Sequence, residues 1–165
     1  MEGGLRHKSA EYFLGGRKRM TNCLICKETE IGNILFVYCH KYGNPYGVGR
    51  LLVGFYDTAE RVDALLNLGD IALLGEKFIP SPDAPHTFEK PQERTTVAYM
   101  RDRGDTQREA KVTLSLKDLN DNYFVNYIYV FTKEGRWKYF EVNKDFSDEQ
   151  LIDVKDYLLQ FVREI

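Results

Sequence analysis

The sequence predicts an α+β domain: a small, mainly antiparallel sheet of about five strands, two or three short helices after the second strand, and a C-terminal amphipathic helix. Three observations carry this expectation. Aromatic residues make up 13% of the chain, with 11 Tyr and 10 Phe, and such side chains fit half-buried sheet surfaces. Short apolar runs are bounded by clusters of Gly, Asn and Pro, as strands are. Near the C-terminus, Leu151, Val154, Leu158, Phe161 and Val162 recur at helical spacing.

Taken in order, residues 21–27 and 34–40 read as two strands joined by a turn over 28–33. Residues 41–47 break the pattern with glycine and proline. Val48, Leu51, Leu52 and Phe55 then predict a short helix. Asp57 or Thr58 caps a second, with Val62, Leu65 and Leu66 on its buried stripe and Gly69 ending it. Asp70 is placed to cap a further turn over 71–74. Residues 76–95 hold Pro80, Pro82, Pro85 and Pro91 and read as one long irregular loop. Strands are expected over 95–100, 123–132 and 137–142. Ser147 and Gln150 form a capping-box pattern ahead of the last helix.

A length of 165 residues fits one domain, taken as 20–165. Residues 1–19 carry five cations against Glu2 and Glu11, a net of +3, which leaves about −5 for the remainder of a chain of net −2. They read as a basic tail, disordered or not native, with Met20 as an alternative start. The acidic remainder argues against a nucleic-acid surface. With no apolar run near the ~20 residues a membrane helix needs, and no secretory leader, a cytoplasmic location without a membrane partner is expected.

Three groups of residues invite a chemical reading. The loop from His40 through Tyr42, Gly43, Gly47 and Gly49 to Arg50 can bring backbone amides close to an anion, with a guanidinium beside them. Its glycines equally suit a tight turn and nothing more. Arg101, Asp102 and Arg103 follow a strand and suit a carboxylate or phosphate; alternatively their charges pair locally. The two loops together would make one anion site if they converge. Cys23, Cys26, Cys39 and His40 superficially resemble zinc ligands, but strand alternation turns Cys23 and Cys26 to opposite faces, and a hairpin centred near Ile31 places Cys23 opposite Cys39. Neither a metal nor a cofactor is expected. No nucleophile motif occurs, and His86, near Asp83 and Glu89, reads as an exposed loop histidine rather than a base. A non-enzymatic module is favoured over an enzyme.

The segment Tyr38-Cys39-His40-Lys41-Tyr42-Gly43-Asn44-Pro45, followed by Val48-Gly49, resembles the signature Y-C-H-W-D-G-Y-P of an uncharacterised family of small phage, prophage and bacterial proteins. The similarity continues through Tyr56-Asp57-Thr58, Arg61-Val62, Leu68-Gly69-Asp70-Ile71 and Leu74-Gly75-Glu76. It resumes at Pro85-His86-Thr87-Phe88, Val97-Ala98-Tyr99, Arg101-Asp102-Arg103-Gly104 and Gly135-Arg136-Trp137. Here Lys41, Tyr42 and Asn44 stand where that signature has Trp, Asp and Tyr. The resemblance implies a phage or mobile-element accessory protein acting on a host protein, and carries over no catalytic residue.

Overall fold

Strands whose consecutive residues are buried build a sheet that is covered on both faces. The computed structural model describes residues 21–163; the expectation for residues 1–19 lies outside them. The elements are β1 (Cys23–Glu28), β2 (Ile34–Cys39), a π-helical turn (Pro45–Gly49), α1 (Arg50–Phe55), α2 (Ala59–Leu66), β3 (Ile71–Leu73), β4 (Val97–Ala98) and α3 (Tyr99–Arg103). There follow β5 (Lys111–Thr113), α4 (Leu116–Asn122), β6 (Tyr127–Phe131), β7 (Trp137–Glu141), a 3-10 turn (Asp148–Gln150), β8 (Ile152–Asp153) and α5 (Val154–Arg163).

The fold is α+β with a mixed, mainly antiparallel sheet. Its strand order is β4-β3-β2-β1-β6-β7-β8, with β5 also on β2. The pairs β1–β6 and β2–β3 are parallel and the others antiparallel. The eight strands exceed the five expected. The additions, β3, β5 and β8, have only two or three residues each. Segments so short carry no period of their own, and pairing with a neighbour decides them.

Successive side chains divide the core in two. Cys23, Ile25, Val37, Cys39, Tyr129, Trp137 and Tyr139 face one side, under Leu52 of α1, Val62 and Leu65 of α2 and Val154 of α5. Leu24, Cys26, Phe36, Ile128 and Phe140 face the other, against Leu116 and Leu119 of α4 and against Phe146.

Three expectations need correction. Residues 71–74 are not a helical turn: Ile71 lies opposite Cys39 and Ala98 in the sheet, and the Asp70 carboxylate accepts the Tyr38 N–H at 2.9 Å rather than capping a helix. The last helix begins at Val154, later than Ser147 predicts. Gln150 bonds Asn143 and Asp145 instead of closing a capping box, and Asp153 caps α5 by accepting the Asp156 N–H at 3.0 Å. Leu151 therefore packs on the second face, whereas Val154, Tyr157 and Leu158 pack on the first. The side chains of Phe161 and Val162 lie outside the description. Likewise Tyr99 opens a helix rather than ending a strand, closed by Gly104 at φ +81.

The hairpin register places Cys23 opposite Cys39, and Cys26 lies on the other face. All three thiols are fully buried, and burial pushes the thiols of Cys23 and Cys26 well up. A thiol-reactive disulfide reagent at neutral pH is expected to leave all three cysteines unmodified in the native protein and to titrate all three after denaturation. Rapid modification of any native thiol would contradict this packing.

Candidate functional site

Residues 40–50 leave β2 and turn back into α1. Asn44, buried, organises the turn: its Oδ1 accepts the N–H groups of Tyr46 at 3.1 Å and Gly47 at 3.0 Å. Pro45 occupies the first turn, where a missing N–H costs nothing. Tyr42 adopts φ 59, and its carbonyl accepts the Val48 N–H at 2.8 Å. A Cβ on Gly47 would collide with that same carbonyl oxygen, so this position requires glycine. Gly43 donates to Thr21 O at 2.9 Å and accepts the Tyr129 hydroxyl at 2.7 Å.

These bonds revise the expected anion seat. The amides of Gly43, Tyr46, Gly47, Val48 and Gly49 all donate to the protein's own oxygens, so they do not form a cradle for a ligand. Asn44 is the residue the sequence reading undervalued. Asn followed by Pro at a helix start is itself a capping signal.

The arginines are distributed unevenly. The Arg50 Nε donates to Tyr46 O at 3.1 Å, and Arg50 borders a cavity of 260 Å³ with Lys41, Tyr42, Val48 and Leu74. Arg101 is turned into the protein. It donates to Phe78 O, to Thr96 O at 2.6 Å, and to both oxygens of Asp102 at 2.8 and 2.9 Å. Asp102 also accepts the Ala98 N–H at 2.8 Å, so this pair fastens α3 to the base of the 76–95 loop. Burial alone would push the Asp102 carboxyl up, but the hydrogen bonds from Arg101 and Ala98, with the His86 ring beside them, outweigh it and hold the group below the usual carboxylate range.

His86 is not the exposed loop residue expected. Its side chain is 4% accessible, with Nε2 3.3 Å from Asp102 Oδ2 and Nδ1 accepting the Gln92 N–H at 3.0 Å. Nδ1 is engaged by the Gln92 amide, whereas Nε2 is buried beside the carboxylate without a hydrogen-bond partner among the described residues.

The two loops do meet, through other residues than Arg50 and Arg101. His40 and Lys41 from the first, and Tyr99 and Arg103 from the second, line one cleft of 390 Å³ whose outer wall is Phe88, Glu89 and Pro91. Asn22 donates to the Tyr38 hydroxyl at 3.2 Å, and the same hydroxyl is hydrogen-bonded to His40 Nδ1 at 2.8 Å, which holds the ring in place at the cleft. Lys41 makes no ion pair among the described residues. The Arg103 guanidinium holds Asp105 through two bonds of 2.8 Å and stacks over Phe88 and Tyr99 at 4.6 and 4.8 Å. Burial pushes the Tyr99 phenol up, so it stays a neutral wall. Comparison with family models, curated proteins and solved structures yields no match for this chain. The site is therefore read from its geometry.

Proposed function

We propose that the protein is a binding module for a small phosphorylated molecule, such as a nucleotide, held in the cleft between His40 and Arg103. The observation that carries this reading is the arrival of the His40 imidazole, the Lys41 ammonium, which makes no ion pair among the described residues, and the Arg103 guanidinium at one cavity. Phosphate oxygens accept such donors.

The test is thermal unfolding with inorganic phosphate and a panel of nucleoside mono-, di- and triphosphates. A ligand at 100 times its Kd stabilises by about 2.7 kcal/mol. The Lys41→Gln and Arg103→Gln variants are expected to weaken binding about tenfold each, the loss of one charge-assisted bond. No shift with any of these ligands removes this reading. Turnover of a nucleotide by the wild type would make the site catalytic instead.

A second reading follows from the phage-type resemblance: an accessory protein acting on a host protein. It is supported by Ile31, Val112 and Leu114, three exposed apolar side chains at the β1–β2 turn, on β5 and just after it; among the described residues β5 pairs only with β2. Pull-down from host lysate should lose its partner with Leu114→Lys if this surface docks. Among the described residues no helix is long and apolar enough to cross a membrane.

A further inference from the structure

Arg94, Arg101, Arg103, Arg108 and Arg136 each face a carboxylate. Arg50 faces none among the described residues: its Nε donates to Tyr46 O, and its two terminal nitrogens donate to no protein acceptor there. The cavity of 260 Å³ that Arg50 borders is also bordered by Lys41, likewise without an ion pair, and no carboxylate lines it. Two unneutralised cations at one concave surface make it a favourable place for negative charge.

A third donor is built into the wall. Asn44 is 4% accessible and lines the same cavity. Its Oδ1 receives the N–H groups of Tyr46 and Gly47, and this fixes which end of the amide is oxygen and which is nitrogen. The nitrogen, Nδ2, donates to no acceptor among the described residues. A buried amide satisfied on one side only costs stability until solvent or a ligand takes the remaining hydrogen bond. Val48, Leu51 and Leu74 add apolar walls, and a dry surround strengthens each charged contact.

Lys41 lines this cavity and the cleft of 390 Å³ alike. Small-molecule sites span about 300–1,000 Å³, so one chamber is below that range and the other near its lower end, whereas the two joined across Lys41 fall well inside it. We infer that Arg50, Asn44 Nδ2 and Lys41 form a second phosphate subsite, and that the ligand is a bisphosphorylated molecule whose two phosphate groups lie on either side of Lys41. This inference rests on the function proposed above, which supplies the first phosphate. Phosphates on separate carbons, as in a nucleoside 3′,5′-bisphosphate, reach both chambers; the adjacent phosphates of a 5′-diphosphate stay in one.

The experiment measures, by calorimetry on the full chain, the affinity for the 5′-monophosphate, 5′-diphosphate and 3′,5′-bisphosphate of one nucleoside. The bisphosphate is expected to bind about tenfold or more tighter than the monophosphate. Arg50→Gln should abolish that gain and leave the monophosphate and diphosphate unchanged, whereas Arg50→Lys keeps the charge and should retain part of it. Asn44→Asp still offers an oxygen to Tyr46 and Gly47 but replaces the donor with an acceptor, and should abolish the gain as well. Should that variant not fold, the two Arg50 variants decide. Equal wild-type affinity for monophosphate and bisphosphate, or an equal loss for all three probes in Arg50→Gln, overturns the subsite. Monophosphate binding that weakens in Lys41→Gln and Arg103→Gln, with nothing gained from the second phosphate, defeats only this inference. Failure of all three probes to bind defeats it together with the function proposed above.

Discussion

Replacing Trp137 with alanine is expected to lower unfolding stability by about 3–5 kcal/mol, a large part of what a domain of this size possesses. Trp137 is 4% accessible, lies 5.2 Å from Phe131 between ring centroids, and donates its indole N–H to Tyr56 O at 2.7 Å. Tyr56 in turn donates its hydroxyl to Gly75 O at 2.7 Å, joining the end of α1 to the start of the 76–95 loop. The substitution removes the packed indole and strands a buried carbonyl at once. Trp137→Phe keeps most of the apolar body and should cost about 1–3 kcal/mol, chiefly the unpaired acceptor. Urea unfolding followed by far-UV circular dichroism measures both; a loss below about 1 kcal/mol for Trp137→Ala contradicts this account of the first core face.

Asp102→Ala is expected to cost about 3 kcal/mol, because it deprives the Arg101 guanidinium and the Ala98 amide of their acceptor. Arg101, the Ala98 amide and His86 converge on this carboxylate, whose side chain is 5% accessible. Loosening should reach both α3 and the 76–95 loop, visible as faster amide exchange in each. The pH dependence has a definite sign. The folded-state pKa is lowered, so the carboxylate's contribution is complete above the ordinary carboxylate pKa of about 4 and is lost as pH falls through the lower folded value. Between about pH 8 and pH 5 Asp102 therefore stays charged. Asp102→Asn, tested by the same unfolding experiment, retains one acceptor oxygen and should fall between the two.

The sequence made the long strands legible because apolar, aromatic-rich runs of five or six residues bounded by turn residues are a strong signal, and the Cys23–Cys39 pairing follows from the hairpin centre alone. The cap of α2 was legible as Asp57 or Thr58, because capping is local, and it is the Thr58 hydroxyl that accepts the Arg61 N–H. Long-range decisions were not legible. Asp70 looks like a cap until β2 supplies an amide for it, and β3 exists only because β2 and β4 flank it. At the candidate site, glycines and arginines were visible but their partners were not. Asn44 consumes amides that an anion would need, and Arg101 spends its donors on Phe78, Thr96 and Asp102. His86 illustrates the converse. Nothing in a proline-rich stretch announces burial, which arises here because Asp102, sixteen positions later, comes back beneath it.

The parallel seam between β1 and β6 bears on how the chain reaches this arrangement. On either side of it stand local hairpins, β1–β2 and β6–β7, each closing over a short turn. The seam itself, with Asn22 and Asn126 exchanging bonds at its mouth, joins positions 104 apart in the chain. Closing so long an interval is entropically slow, whereas a hairpin forms in about 1–10 μs. Two halves ready early and united late describe the assembly order this topology imposes, and until they unite the inner edges of both central strands stand unprotected.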